Sequence, residues 1–352
     1  MAQVISLFNH KGGVSKTTTS FNLGWMLAAK GRRVMLVDCD PQCNLTGMVL
    51  GLGDLETEVS IRGTRNGVPL NFKEGLSPAF ESRPTPMRAV ECIEVPGNAN
   101  LFLLPGNIGL SEYEVTLGIA QELSGSLVTL RNLPGSLRHL IDLTAQQYQI
   151  DFVVVDMSPS LGSVNQNLLS TSDFFLIPMH PDYFSTMAIH SLSSTLPKWH
   201  KWAKAAEQTP ILKQAEYPLP PCDPGFLGYV LQKYRPRNGQ PSRAFQDWVD
   251  QLEEGVRETL IPALESCGMM LPSKIYELAG FTPSQPILQM PDFNSLIAKS
   301  QEHRVPVFEL TKQQLNVRGK VYATTEASQE NFRGLFDAAA QRVLTIADAV
   351  RN

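Results

Sequence analysis

The sequence lacks the features of a secreted or membrane-spanning protein. Its five cysteines are odd in number and scattered along 352 residues, which argues against a disulfide framework and suits reduced thiols in a cytosol. No apolar run approaches the ~20 residues that a transmembrane helix needs. The N-terminus has no basic segment followed by an apolar one, as a signal peptide would. We therefore expect a soluble, cytoplasmic protein.

The sequence also lacks a charge excess, an internal repeat and a low-complexity segment. Lys and Arg total 30 and Asp and Glu total 34, so the net charge of −4 gives no overall electrostatic case for binding nucleic acid. Any DNA contact must therefore come from a local basic patch. The hydrophobic content of 43% is sufficient for a buried core, in one large α/β domain or two smaller ones.

The strongest positive signal lies at the start of the chain. An apolar run from Val4 to Phe8 predicts a strand, a glycine-containing loop follows, and residues 18–30 predict a helix. These elements in this order form a phosphate site, because the N–H groups of the loop and of the helix N-terminus point at the anion. Lys16 adds a mobile positive charge, and the Thr17 hydroxyl can ligate Mg²⁺.

The loop departs from the general P-loop pattern G-x-x-x-x-G-K-[ST], which would need glycines where this chain has His10 and Ser15. It matches the variant K-G-G-x-x-K-[ST], in which a second lysine, Lys11, precedes the glycines. The motif resembles the deviant Walker A ATPases of the ParA/MinD family. The resemblance implies ATP and Mg²⁺ as cofactors, held by a loop of Lys11, Gly12, Gly13, Val14, Ser15, Lys16, Thr17 and Thr18.

In that family the additional lysine reaches across a dimer to the partner's nucleotide. The resemblance therefore implies that Lys11 and Lys16 are catalytic, and that this chain forms a homodimer when ATP binds.

Two further apolar runs end in acids, as buried parallel strands that lead to an active site do. Residues 38–42 read D-C-D-P-Q and resemble the family's switch I. The resemblance implies that Asp40 positions the attacking water and that Asp38 helps to hold the water shell of the metal. The alternative is an acidic cap on the helix predicted from Asn44 to Leu50.

The second of these runs, from Ile150 to Asp156, resembles a Walker B strand, whose carboxylate holds Mg²⁺ through water. Ser158 stands in the following turn, switch II, where the family commonly has proline. With Thr17 and Asp38, Asp156 completes the expected metal site.

The alternation of strand and helix patterns predicts one doubly wound α/β domain over residues 1–352, with a mostly parallel sheet flanked by helices. Insertions are expected at about 51–100 and 189–224. The predicted strand from Phe226 to Arg235 resembles the one that precedes the nucleotide base, which implies a base contact from Gln232. We expect Arg235 and Arg237 to fold over the base or to rim a dimer.

Four segments nearer the C-terminus need separate interpretation. Residues 198–204 place lysines beside Trp199 and Trp202, which indicates either a helix with inward tryptophans or a surface for nucleic acid or protein. Residues 288–299 and 305–310 resemble the family's final helix and strand. The amphipathic helix predicted from 328 to 352 is expected to pack its apolar face on the domain, because a membrane-binding helix would carry a more basic polar face.

The leading functional hypothesis is an ATP-dependent, dimerising switch of the ParA type. It would hydrolyse ATP to ADP and phosphate and work with a ParB-like activator to segregate DNA or position a cargo. The candidate contacts to the DNA backbone are Lys312, Arg318 and Lys320.

The alternatives left open are an operon-specific ATPase switch, a MinD-like membrane-positioning ATPase and an electron-transfer ATPase resembling nitrogenase iron protein. The last needs cysteines that bind a metal cluster. Cys39 and Cys43 are the closest pair, but they lack the paired C-x-x-C spacing of a zinc site and indicate ordinary small residues beside the nucleotide.

Overall fold

A computed structural model describes residues 1–51, 63–123, 128–234, 236–237, 240–241, 243–293 and 296–351, with side chains described outside 233–245. Its centre is one eight-stranded sheet, in which neighbouring strands are parallel except at one edge. In spatial order the strands are β12 (Leu288–Pro291), β9 (Gly225–Tyr234), β8 (Phe174–Met179), β1 (Gln3–Leu7), β7 (Phe152–Met157), β2 (Val34–Cys39), β6 (Leu101–Leu104) and the antiparallel edge strand β5 (Ile93–Glu94). Two short hairpins lie outside the sheet, formed by β3 (Thr64–Arg65) with β4 (Val68–Pro69) and by β10 (Pro236–Arg237) with β11 (Gln240–Pro241).

Helices cover both faces of the sheet, as the apolar character of the central strands requires. They are α1 (Lys16–Ala29), α2 (Asn44–Leu50), α3 (Phe72–Phe80), α4 (Tyr113–Glu122), α5 (Leu133–Gln147), α6 (Ser163–Ser170), α7 (Tyr183–Gln208), α8 (Pro210–Lys213), α9 (Arg243–Gly255), α10 (Ile261–Cys267), α11 (Ser273–Leu278), α12 (Leu296–His303), α13 (Lys312–Leu315) and α14 (Gly319–Arg351). Short 3₁₀ turns occupy Ile108–Glu112, Val128–Leu130 and Val307–Glu309, and a π-helical turn, Val256–Leu260, joins α9 to α10.

Two apolar cores lie on opposite faces of the sheet. One packs α3 to α7 and the α9–α10 region against the sheet, and the other packs α1, α2, α12 and α14. The inner strands are buried along their whole length, which explains why their sequences are continuous apolar runs with no polar alternation. The predicted doubly wound, mostly parallel α/β fold is confirmed.

The region around 189–224 contains all but the start of one long helix, α7, followed by α8 and an extended proline-rich segment. Trp199 is buried and its ring packs 5.3 Å from that of Phe8, while the Trp202 indole donates to the Gln121 carbonyl at 2.9 Å. Lys198 and Lys201 are exposed. The structure therefore shows an amphipathic helix with inward tryptophans.

Two predictions in the last third of the chain were wrong. Residues 288–291 form an edge strand, because Leu288 and Met290 alternate into the core while the backbone pairs with β9; a helix begins only at Leu296. Residues 305–310 form no strand but a 3₁₀ turn, since Pro306 cannot donate to a ladder.

The C-terminal helix packs on the domain, as expected, but it begins at Gly319, earlier than the predicted Ser328. Phe332 and Phe336 on its apolar face are buried in the core. Among the described residues, no helix is both long and apolar enough to cross a bilayer.

Candidate nucleotide site

The glycine loop connects β1 to α1 at the carboxyl edge of the sheet. Two of its residues, Gly13 and Ser15, adopt left-handed backbone conformations, with φ of 73° and 55°. At Gly13 the absence of a Cβ makes this conformation inexpensive, whereas Ser15 adopts it at a steric cost. This backbone turns the chain sharply into α1, whose first N–H groups have no partner within the helix and face the loop.

Lys16 is held inside the loop. Its ammonium group donates to the backbone carbonyls of Asn9 at 2.9 Å and Lys11 at 3.3 Å, and the side chain is buried. Burial lowers the pKa of Lys16, while the carboxylates of Asp156 and Asp40 act in the opposite direction. The ammonium group is thus positioned over the loop interior by main-chain oxygens, where it can exchange them for phosphate oxygens.

Asp156 lies at the end of β7, level with the end of β1 on one side and with Asp38 of β2 on the other. One carboxylate oxygen accepts a hydrogen bond from the Ser20 hydroxyl at 3.2 Å, and the other is buried without a hydrogen-bond partner. Burial, and secondarily the Asp38 carboxylate, raise the pKa of Asp156 to about 7, although Thr17 and Lys16 oppose the shift.

These residues fit a magnesium ion. Mg²⁺ prefers oxygen ligands and usually keeps several waters, so one carboxylate and one hydroxyl beside the phosphates suffice. The unpartnered oxygen of Asp156 and the neighbouring Thr17 hydroxyl supply such a pair. Among the described residues no cluster of three or more His, Cys, Asp or Glu side chains could hold a metal without the help of a substrate.

The two acids at the end of β2, Asp38 in the strand and Asp40 just after it, have different surroundings. The Asp38 carboxylate is fully buried and accepts hydrogen bonds from the N–H and hydroxyl of Thr46, at 2.8 and 2.7 Å, and from the N–H of Asp40. Burial raises the pKa of Asp38 to about 6 despite these bonds. In this arrangement Asp38 fixes the start of α2, and its predicted contact with the water shell of a metal stays a prediction. Asp40, in contrast, lines the open site.

A cavity of about 430 Å³ lies over the glycine loop. Its lining combines the loop residues 12–18 with Asp40, as the sequence predicted, and adds residues that the sequence did not single out as ligands. These are Gln42, Asn44, Met48, Pro159 and Gln301. Gln42 lies in the loop after Asp40, and Asn44 and Met48 lie in α2, which follows. Gln301 comes from α12 and has no motif around it that could have indicated its position.

Gln232 does not line this cavity. It is buried beneath the loop, where its amide donates to the Thr19 hydroxyl at 2.5 Å and more weakly to the Ser15 carbonyl at 3.4 Å. The predicted base contact of Gln232 therefore stays a prediction, and the structure assigns the side chain to the support of α1. Arg235 and the side chain of Arg237 lie outside the described residues.

Lys11, the second lysine of the motif, is bound within its own chain. Its ammonium group lies 2.5 Å from both carboxylate oxygens of Asp182 and 3.2 Å from the Ser185 hydroxyl. Asp182 also caps α7 by accepting from the Ser185 N–H at 2.8 Å. The Phe184 ring lies 5.8 Å from the ammonium group. The backbone of Lys11 thus belongs to the loop, but its side chain is directed toward the start of α7.

The turn after Asp156 is held by polar contacts in which Ser158 takes part. The Asn165 amide donates to the carbonyls of Ser158 and Ser160, each at 2.8 Å, and the two serine hydroxyls lie 3.0 Å apart. Serine at 158 therefore adds a hydrogen-bonding group where a proline would have none.

The basic residues Lys312, Arg318 and Lys320 are all exposed around the start of α14. The Lys312 ammonium group lies 4.8 Å from the centre of the Tyr322 ring. Their exposure is compatible with contacts to a polyanion, which stay a prediction.

Comparison with known proteins identifies the family. The family described as an AAA domain (AAA_31) matches residues 2–207. Soj, the sporulation initiation inhibitor protein of Bacillus subtilis, is 30% identical over 196 residues, which are 56% of this chain and 65% of Soj. The chromosome partitioning protein ParA of Myxococcus xanthus is 32% identical over 197 residues, which are 56% of this chain and 58% of that ParA. The matched segment thus spans less than two thirds of either relative.

Solved structures share the fold over nearly the whole chain. The structure of pNOB8 ParA has a TM-score of 0.57 at 21% identity and covers 98% of this chain and 99% of its own. The ATP complex of McdA from Cyanothece has a TM-score of 0.56 at 15% identity and covers 95% and 96% of the two chains. Because the fold is shared beyond residue 207, the part of the chain outside the family match belongs to the same architecture.

Proposed function

The chain belongs to the AAA_31 family of ParA/MinD-like ATPases, and from that premise we propose that it is a ParA-type partition or positioning ATPase that binds and hydrolyses ATP with Mg²⁺. The observation that carries the proposal is that Lys16 and Asp40 line one cavity at the carboxyl edge of the sheet, while Asp156 lies buried at the end of β7, close enough to act on the Lys16 ammonium group. This is where ligands bind in open α/β folds.

The residues of the chain have separate roles in this mechanism. The N–H groups of the loop and of the first turn of α1 cradle the phosphates, and Lys16 moves from the carbonyls of Asn9 and Lys11 to phosphate oxygens. Thr17 and Asp156 would hold Mg²⁺, which supplies charge neutralisation on the phosphates. Asp40 orients the attacking water from the cavity wall.

The direction of Lys11 supports a proposal of dimerisation. In one chain its ammonium group is bound by Asp182 at the start of α7 and does not line the nucleotide cavity. We propose that ATP draws Lys11 away from Asp182 and toward the nucleotide of a second copy. Hydrolysis would then release the dimer. The ATP cycle would thereby control binding to a ParB-like activator and to nonspecific DNA of the nucleoid. A pNOB8 ParA has been solved on nonspecific DNA.

The experiment that tests the proposal measures association and hydrolysis together. Sedimentation velocity should show a dimer with ATP and Mg²⁺ but a monomer without nucleotide, and Asp40→Ala should keep the dimer while abolishing phosphate release. Lys11→Ala should lose the dimer. Lys204→Ala, which removes a lysine paired with Glu207 and Asp223 on the far part of α7, is the matched control and should behave as wild type. Normal dimerisation and hydrolysis by Lys11→Ala would contradict the proposal.

A further inference from the structure

Ser15 occupies a backbone position of the phosphate loop that favours glycine. Its φ of 55° and ψ of 37° are left-handed, a conformation in which a Cβ crowds the following carbonyl group. Its side chain gives no compensation, because the Ser15 hydroxyl makes no capping hydrogen bond to α1. The conformation must therefore be stabilised by groups outside the residue.

Three donors converge on the Ser15 carbonyl oxygen. The Thr19 N–H donates to it at 3.0 Å and the Thr19 hydroxyl at 2.9 Å. The Gln232 amide, near the end of β9, approaches the same oxygen at 3.4 Å. The shorter contact of this amide is with the Thr19 hydroxyl oxygen, at 2.5 Å. Gln232 therefore acts on the Ser15 carbonyl both directly and through Thr19.

The orientation of the Gln232 amide follows from this chain of hydrogen bonds. The Thr19 hydroxyl donates its one hydrogen to the Ser15 carbonyl, so its oxygen can only accept from Gln232. The Gln232 NH₂ group must face it, and the amide oxygen is left buried with no hydrogen-bond partner among the described residues. A buried acceptor without a partner costs stability. The side chain is therefore better explained by what it positions than by what it adds to stability.

The held carbonyl sets the direction of the next N–H group. The peptide between Ser15 and Lys16 is planar and trans, so its N–H points away from its C=O. Because Thr19 and Gln232 hold the carbonyl beneath the loop, the Lys16 N–H is turned toward the loop interior. This N–H is among the first of α1, which have no acceptor within the helix and are available to an anion.

We propose that Gln232 is a positioning residue for phosphate binding. Together with Thr19 it fixes the peptide between Ser15 and Lys16 so that the Lys16 N–H faces the phosphates. It thereby offsets the cost of a serine at a left-handed position. The part of the ligand that it serves is the polyphosphate and not the base. The inference rests on the proposed function, since it concerns the loop that would bind ATP.

The test compares two ligands of the same loop, a fluorescent ATP analogue followed by anisotropy and magnesium tripolyphosphate, which has no base, followed by calorimetry. Gln232→Leu should weaken both by about fivefold, because a left-handed serine that is no longer held relaxes to other conformations. With Ser15→Gly already present, Gln232→Leu should change either affinity by about twofold or less, because glycine adopts this backbone readily. Thr19→Val removes the intermediate hydroxyl, should act as Gln232→Leu does, and tests the proposal even where Gln232→Leu does not fold.

Gln3→Leu is the matched control. Gln3 is also a buried glutamine, its amide donates to the Ala347 carbonyl at 3.0 Å, and its amide oxygen also lacks a hydrogen-bond partner in the described part of the chain. It lies at the start of β1, at the opposite edge of the sheet from the loop. Gln3→Leu should leave both affinities unchanged. In urea denaturation without nucleotide, Gln232→Leu should destabilise the fold no more than Gln3→Leu does.

Three results would overturn the inference. A loss of affinity for the ATP analogue with unchanged affinity for tripolyphosphate would assign Gln232 to the base. An equal loss with and without Ser15→Gly would show that the serine needs no support from Gln232. Wild-type affinities in Gln232→Leu would show that its amide positions nothing. The proposed function fails separately, if the wild-type chain binds neither ligand.

Discussion

The first 207 residues and the rest of the chain build the same sheet but contribute differently to the site. The first part supplies Lys16, Asp40 and Asp156, each at the end of a central strand or on the loop that follows it. The later part supplies the strands β9 and β12, the long helix α14 and, among its described residues, one that lines the cavity, Gln301. The comparison shows that short motifs in the first part supply the polar groups of the site, while the later part contributes mainly by packing against the sheet.

The largest effect should come from packing in the later part. Phe336 of α14 is fully buried, so Phe336→Ala should lower the free energy of unfolding by about 3–5 kcal/mol, measured by urea denaturation. Val350→Ala, at a half-exposed position of the same helix, is the control and should change it by about 0.5 kcal/mol or less. The remaining folded protein should keep its ATP affinity, and a loss of affinity without a loss of stability would break the comparison.

A second test addresses the chemistry of the first part. Lys16→Ala removes the cation held inside the loop, so the affinity for a fluorescent ATP analogue should fall about hundredfold, or roughly 2.7 kcal/mol. Stability without nucleotide should change far less than for Phe336→Ala. An affinity within threefold of wild type would show that the loop binds phosphate mainly through its main-chain N–H groups.

A third test asks whether the later part also binds a ligand. Replacing Lys312, Arg318 and Lys320 together by alanine should weaken ATP-dependent DNA binding about tenfold at roughly 50 mM salt and reduce its salt dependence. Filter binding with duplexes of unrelated sequence measures both quantities. Unchanged DNA affinity would move the DNA-binding surface elsewhere, and normal ATP hydrolysis by the triple variant would confirm that the site itself is intact.

A fourth test addresses a pH dependence that arises in the first part. The folded-state pKa values of Asp38, about 6, and Asp156, about 7, lie above the value of about 3.9 for an unfolded aspartate. The folded chain therefore retains protons that the unfolded chain has lost, and stability falls as pH rises from about 4 to about 7.

Thermal unfolding without nucleotide and with EDTA should show this as a decrease in the melting temperature over that pH interval. Asp156→Asn should flatten the profile. A melting temperature that rises over the same pH interval in the wild type would contradict the assigned direction of both shifts.

The same division explains how much could be predicted from sequence. The loop at 11–18 and the acids Asp40 and Asp156 were predictable because each follows an apolar run directly, and parallel strands bring their carboxyl ends together. Strand β12 was not predicted because four residues are too few to show a clear strand pattern in the sequence. The helical pattern at 296–303 follows closely, so the predicted helix was placed too far toward the N-terminus.

The directions of two polar side chains could not be predicted. Gln301 lines the cavity because α12 packs beside it. Gln232 lies beneath the loop, where its amide donates to the Thr19 hydroxyl. Both depend on contacts between residues far apart in the chain. A motif fixes which residue occupies a position on a strand, but the packing of neighbouring elements decides which group its side chain meets.

The ion pair between Lys11 and Asp182 has a consequence for how association should respond to salt. Should Lys11 move to a phosphate on a second copy, one ion pair opens as another forms, and the number of opposite charges in contact is nearly conserved. Dimerisation is then a replacement of one anion by another. Such a replacement depends only weakly on ionic strength, whereas binding to DNA releases counterions and depends on it steeply. Salt would thus remove the protein from DNA long before it separated the two subunits.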